Sequence, residues 1–193
     1  MEVCIIQYNA GNSTSVAHAL ERLQVPYRCS SDPSVIAAAD KVIFPGVGEA
    51  QTTMNYLKAK QLDKVIPELK QPVLGICLGM QLLCEYSEER NTKCLGVLEV
   101  NAERFKPEVS DKIPHIGWNT LQEGKDWCLA FNHLYFYFVH SYFVPVNPFT
   151  VGITDYGVPF SAAVRKNNFY GVQFHPEKSG DIGSRVLENF LKV

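Results

Sequence analysis

The stretch Pro72-Val73-Leu74-Gly75-Ile76-Cys77-Leu78-Gly79-Met80-Gln81-Leu82-Leu83 changes character at its centre. Val73, Leu74 and Ile76 form a short apolar run bounded by Pro72 and glycine, the pattern of a strand buried on both faces of a parallel sheet. Met80 to Cys84 reads as a helix. Cys77 therefore falls in a strand-to-helix turn, at the carboxyl edge of a sheet and beside a helix N-terminus, where backbone N–H groups favour a thiolate. Gly75 and Gly79 keep that turn clear of side chains, and G-x-C-x-G has the form of a nucleophile elbow with sulfur in place of oxygen. The competing reading is a packed structural cysteine, the common fate of a free Cys. A base and an oxyanion site elsewhere in the chain decide between the two.

Working outward, Val3 to Ile6 reads as a first buried strand. The turn-rich Tyr8-Asn9-Ala10-Gly11-Asn12 follows, then a helix with Val16, Ala17, Leu20 and Leu23 on one face. A short strand near Tyr27 to Cys29 precedes Asp32-Pro33, a cap and first position for a brief helix. Val42 to Phe44 is another apolar strand, ended by Pro45-Gly46-Val47-Gly48, with a helix over Glu49 to Leu57. Alternating strands and helices predict a mostly parallel α/β sheet covered on both faces, with ligands at the strands' carboxyl ends. After Leu95 the pattern shifts to short strands joined by turns: Gly96 to Val100, Asn119 to Leu121, Tyr135 to Val139, Val151 to Ile153, Ser161 to Val164 and Phe169 to Phe174. That predicts antiparallel hairpins in the C-terminal half, with Asn167-Asn168 as a tight turn. Ile182 to Leu191 is a closing helix with Val186, Leu187 and Phe190 inward, and Arg104 to Lys112 reads as a solvated loop.

The 193 residues suit a single domain spanning 1–193. A net charge of −2 provides no basic field for nucleic acid. No stretch approaches the apolar length of a membrane span and no leader pattern opens the chain, so a cytoplasmic location is expected. The six cysteines (Cys4, Cys29, Cys77, Cys84, Cys94 and Cys128) contain no C-x-x-C pair. They are expected to stay reduced, with no metal and no cofactor called for.

His175-Pro176-Glu177, directly after the strand ending at Phe174, supplies both a base and a group to orient it. Among the other histidines, His18 reads as exposed on its helix, and His115 and His140 as structural residues near turns. Glycine-bearing turns supply oxyanion donors. The N–H of Leu78 is one, and Val47 or Gly48 in the loop after Phe44 is the other. Gly46-Val47-Gly48 lacks the third glycine of a dinucleotide fingerprint, and no phosphate-loop motif occurs.

At this point Gly75-Ile76-Cys77-Leu78-Gly79-Met80-Gln81 and Phe174-His175-Pro176-Glu177 resemble the nucleophile and base motifs of the class I glutamine amidotransferases. Within that family the chain also carries Pro45-Gly46-Val47-Gly48, Pro114-His115-Ile116-Gly117-Trp118-Asn119, Phe138-Val139-His140-Ser141-Tyr142 and His175-Pro176-Glu177-Lys178-Ser179. Together these resemble the glutaminase subunits of imidazole glycerol phosphate synthases. The resemblance implies a flavodoxin-like fold, a Cys77–His175–Glu177 triad acting on L-glutamine, and oxyanion donors from Val47, Gly48 and Leu78. It also implies glutamine contacts from Gly46, Gln81, Ser141 and Tyr142. It further implies a heterodimer with a (β/α)8 cyclase subunit, in a two-subunit synthase with lyase activity, with Trp118, Tyr137 and Lys178 at the interface. One departure is Asn9, where the family commonly has glycine; Asn tolerates left-handed backbone better than other residues with a Cβ. Two alternatives stay open: a paralogous glutaminase feeding another amidation, such as a sugar modification, and a stand-alone cysteine hydrolase of the same fold.

Overall fold

The computed structural model describes residues 1–8, 13–110 and 112–193; Asn9 and most of its turn lie outside the described residues. Strands β1 (Val3–Ile6), β2 (Tyr27–Ser30), β3 (Lys41–Phe44) and β4 (Val73–Ile76) alternate with helices α1 (Ser13–Arg22), α2 (Pro33–Ala38), α3 (Ala50–Ala59) and the single turn α4 (Leu62–Val65). Helix α5 (Leu78–Leu82) follows β4 directly. Then come β5 (Cys84–Ser87), β6 (Thr92–Lys93), β7 (Leu98–Arg104), β8 (His115–Thr120), β9 (Glu123–Gly124), β10 (Tyr135–His140) and β11 (Tyr142–Phe143). The chain ends with β12 (Thr150–Asp155), β13 (Pro159–Lys166), β14 (Phe169–Val172) and α6 (Gly180–Leu191).

The main sheet has the order β2-β1-β3-β4-β14-β13-β12-β9. Its first five strands pair in parallel, and β13, β12 and β9 extend it antiparallel. The β2-β1-β3-β4-β14 portion is the doubly wound order of flavodoxin-like folds. Alternation along each strand explains the burial on both faces. In β1, Val3 and Ile5 pack with Val16, Leu20, Leu187 and Phe190 of α1 and α6. Cys4 and Ile6 point the other way, into a second core with Ile36, Met54, Leu57 and Met80 from α2, α3 and α5. Outside the main sheet, β8 and β10 form an antiparallel ribbon, and β11, β7, β5 and β6 a small mixed sheet.

Local signals act where the chemistry of the turns requires. Asp32 accepts from Ser34 N at 2.8 Å and Pro33 opens α2. Lys166 pairs with Phe169 across Asn167-Asn168, with Asn167 at φ 54°. His18 is exposed. Three expectations are corrected. Cys84 begins β5 instead of ending a helix: Val97 N and Leu98 N both donate to Leu83 O, and Cys84 pairs with Leu98. The strand expected over Gly96 to Val100 begins only at Leu98, because Gly96 turns the chain at φ 70°. The Arg104–Lys112 stretch is not wholly solvated. Phe105 is buried against the rings of His140, Phe143, Tyr156 and Phe160, and Ser110 is buried too.

Backbone-to-backbone packing sets the spacing of the β3–β4 edge. A Cβ on Gly79 would overlap the carbonyl oxygen of Phe44. One on Gly75 would meet Gly79 and Met80 main chain at 2.8 Å, and one on Gly46 would overlap Gly79 N. Because backbone atoms cannot rotate aside, Gly79→Ala is expected to destabilise the fold by about 3 kcal/mol, the upper range for overpacking. A lowered urea midpoint at unchanged slope is the measurement.

Candidate active site

Cys77 sits where β4 ends and α5 begins, at φ 51° and ψ −109°, a strained conformation for a residue with a side chain. Two backbone bonds hold it there: Cys77 N donates to Val172 O at 2.7 Å, and Cys77 O accepts from Gln81 N at 3.1 Å. The residue is 6% exposed. Its Sγ lies 3.8 Å from Val139 O and 3.4 Å from Gln173 Nε2. Leu78, the first residue of α5, presents an N–H with no acceptor inside its own helix.

Because β14 is the parallel neighbour of β4, with Val172 opposite Ile76, the segment leaving β14 emerges beside Cys77. His175 has no exposed surface, and its Nδ1 is 2.7 Å from Glu177 Oε1. Glu177 is buried on the tight turn Pro176–Lys178. The backbone around the ring is pinned as well. His175 N donates to Tyr137 O at 2.9 Å, and Ser179 Oγ donates to His175 O at 2.7 Å while accepting from Tyr137 N at 3.0 Å. His175 Nε2 is buried without a hydrogen bond among the described residues, yet the Cys77 sulfur is close enough to act on its charge. Burial opposes protonation of the imidazole. The Cys77 side chain, and then the Glu177 carboxylate, outweigh it and push the pKa up to about 10. A charged Cys77 sulfur therefore favours a protonated His175, with Nδ1 committed to Glu177.

A cleft of about 310 Å³ opens over the sulfur. Gly46, Val47, Gly48, Cys77, Leu78, Gln81, Ser141 and Tyr142 line it, joined by Glu89, Pro114, Val139 and His140. His175 and Glu177 are not part of its lining; both are buried. Trp118, Tyr137 and Lys178 lie outside it too. Trp118 is 56% exposed on β8, its ring 6.1 Å from that of Tyr137 on β10. Lys178 is exposed on the turn that carries Glu177.

Three groups were not readable as site residues. Gln173 touches the sulfur, yet it looks like one polar residue in an apolar strand. Glu89 lines the cleft with its Oε2 taking Ala50 N at 2.7 Å. Burial pushes its carboxyl up, the Ala50 bond resists, and Glu49 adds to the rise. His115 opens β8 and His140 closes β10, each beside a bend as expected, and the two bond to each other at 3.0 Å. Gln81 also differs from a residue free to reach a substrate through its amide nitrogen. Its Nε2 is already used, donating to Tyr142 O at 2.7 Å and Gln173 Oε1 at 2.9 Å.

The family model described as glutamine amidotransferase class-I matches residues 4–193. The chain belongs to that family. This amidotransferase is 56% identical over 196 residues to the protein named imidazole glycerol phosphate synthase subunit HisH of Bacteroides fragilis (strain YCH46), all of both chains being covered. It is 45% identical over 200 residues to the protein of the same name from Escherichia coli (strain K12), again over the whole of both. A crystal structure of a glutamine amidotransferase superposes with a TM-score of 0.74 at 19% identity, over 98% of this chain and 97% of the other, which shows a shared fold.

The elevated titration of His175 depends on its neighbour. In a Cys77→Ala variant of this amidotransferase the imidazole is expected to titrate well below 10, as measured by NMR of the labelled ring.

Proposed function

We propose that this chain, as a single domain over residues 1–193, is the glutaminase subunit of an imidazole glycerol phosphate synthase. The observation that carries the reading is Cys77 opening on a cleft lined by the Gly46–Gly48 turn and Leu78, with the buried His175–Glu177 pair acting on its sulfur from outside that lining. Full-length similarity to the HisH proteins supports the particular synthase.

Glutamine enters with its side-chain amide over Cys77. The sulfur, as thiolate, bonds to the amide carbon, and the carbonyl oxygen takes the negative charge. The N–H groups of Leu78 and of Val47 or Gly48 are assigned to that oxygen. Collapse breaks the C–N bond as His175 Nε2 passes its proton to the departing nitrogen, releasing ammonia and leaving a γ-glutamyl thioester. Water then adds to the thioester, its proton returning to His175, and glutamate leaves as the thiolate re-forms. Glu177 holds the ring throughout, because its bond to Nδ1 keeps Nε2 facing the sulfur. Gly46, Gln81, Ser141 and Tyr142 position the glutamine, and Glu89 offers a carboxylate to its ammonium group.

The ammonia passes to a (β/α)8 cyclase subunit in a cytoplasmic heterodimer, and the lyase chemistry belongs to that partner. The cyclase product is imidazole glycerol phosphate, in the synthesis of L-histidine. Support for the docking face comes from the ribbon, where Ile116, Trp118 and Tyr135 are 56–60% exposed and form an apolar patch. Tyr137 on the same ribbon bonds to His175 and Ser179, so the docking face and the base share a strand. Reorientation of the Gly46–Val47 peptide is the switch by which the partner raises activity.

Glutamate release is expected to be low for the chain alone and to rise strongly with the cyclase and a ligand in the cyclase site. Full activity without partner would instead identify a stand-alone hydrolase. Stimulation only by a different synthase would identify a paralogue. Cys77→Ala should remove hydrolysis entirely, whereas Glu177→Gln should lower kcat by about 100-fold and leave a measurable rate. Trp118→Ala should weaken cyclase binding about 30-fold in calorimetry, the effect of losing one aromatic anchor.

A further inference from the structure

Gln173 has no exposed surface and stands between β14 and His175, its backbone N donating to Ala162 O at 2.8 Å. Its side chain bridges two groups: Nε2 lies 3.4 Å from Cys77 Sγ, and Oε1 accepts from Gln81 Nε2. The orientation of such an amide is set by its partners, and here one carbonyl fixes the whole chain. Tyr142 O can only accept, so the groups bonded to it must donate. Gln81 therefore presents Nε2, and Gln173 must answer that nitrogen with Oε1, which turns its NH₂ towards the sulfur.

The same carbonyl sets the histidines. His140 Nδ1 lies 2.8 Å from Tyr142 O and carries the hydrogen. His140 Nε2 then accepts from His115 Nδ1, and Asn119 Nδ2 reaches His115 Nε2 at 3.4 Å. Burial pushes His115 down to about 4 and His140 down to about 3, so both rings stay neutral and the direction of the bonds holds at neutral pH.

Besides His175, two polar groups among the described residues lie near the sulfur, and they are of opposite kind. Val139 O at 3.8 Å can take a hydrogen from a thiol but repels a thiolate. Gln173 Nε2 can only donate, so its bond strengthens when the sulfur is charged. We infer that Gln173 supplies a hydrogen bond to the Cys77 thiolate, with Gln81 and the Tyr142 carbonyl as positioning groups that aim it. The inference rests on Cys77 being the nucleophile of the proposed reaction.

The test is the pH profile of Cys77 alkylation by iodoacetamide in the full chain, followed by mass spectrometry of the Cys77 peptide. Other titratable groups coupled to the sulfur, His175 and Tyr8, are the same in every variant. Gln173→Leu keeps the bulk and removes the donor, and the rate at pH 7 should fall about tenfold as the profile moves alkaline. Gln173→Glu should move it further, because a carboxylate would face the sulfur. Gln81→Leu leaves Gln173 present but unaimed and should give a smaller shift in the same direction. Profiles that superimpose on wild type, with unchanged circular dichroism, overturn the inference. Should Gln173→Leu not fold, Gln81→Leu decides: an alkaline shift supports the role and an unmoved profile removes it. Alkylation needs no glutamine, so failure of the glutaminase reading would show separately, as absent glutamate release with the profile still shifted.

Discussion

The structure depends on one parallel pairing. β4 and β14, far apart in sequence, lie side by side, and the hydrogen bond from Cys77 N to Val172 O continues their ladder by one residue beyond the end of β4. That extension fixes the strained backbone of Cys77 and sets the height at which the chain after β14 delivers Gln173 and His175. β3, paired on the other side of β4, brings Gly46 to Gly48 to the same edge. Three neighbouring strands thus deliver Cys77, His175 and the Gly46–Gly48 loop, the proposed nucleophile, base and oxyanion loop, without any long connecting device. A slip of one residue in the β4–β14 register would turn His175 to the opposite face of the sheet.

Much of this was legible because strands buried on both faces are written as plain apolar runs. Val3 to Ile6, Val42 to Phe44 and Val73 to Ile76 need no tertiary information, and the punctuation at Asp32-Pro33 and Asn167-Asn168 acts locally. Legibility ended where one run satisfies two periods. Met80 to Cys84 is apolar enough for a helix or a strand, and the Leu83 carbonyl, taken by Val97 and Leu98, stops the helix short of Cys84. Phe105 was hidden by charged neighbours, although its ring anchors an aromatic cluster drawn from five strands and loops.

Within the site, residues with an intrinsic reactivity announced themselves, and residues that act by orientation did not. Cys77 and His175 carry their chemistry in the side chain. Gln173 acquires significance only from the Gln81 amide on one side and a sulfur on the other, which no spacing rule encodes. Glu89 gains its place in the cleft by reaching across to Ala50 N at the start of α3. The buried pair His115 and His140 looked like two unrelated histidines because their contact crosses between β8 and β10.

The glycines of the elbow have a consequence of a different kind. Gly46, Gly75 and Gly79 exclude side chains because main chain touches main chain there. The signature around Cys77 is therefore a ruler of helix-to-sheet distance more than a statement about sulfur. Any protein that seats a short helix this closely on a strand end would carry the same glycines, whatever residue stands between them. In this chain the pattern is legible because two requirements coincide: a turn tight enough to expose one side chain leaves no room for others beside it.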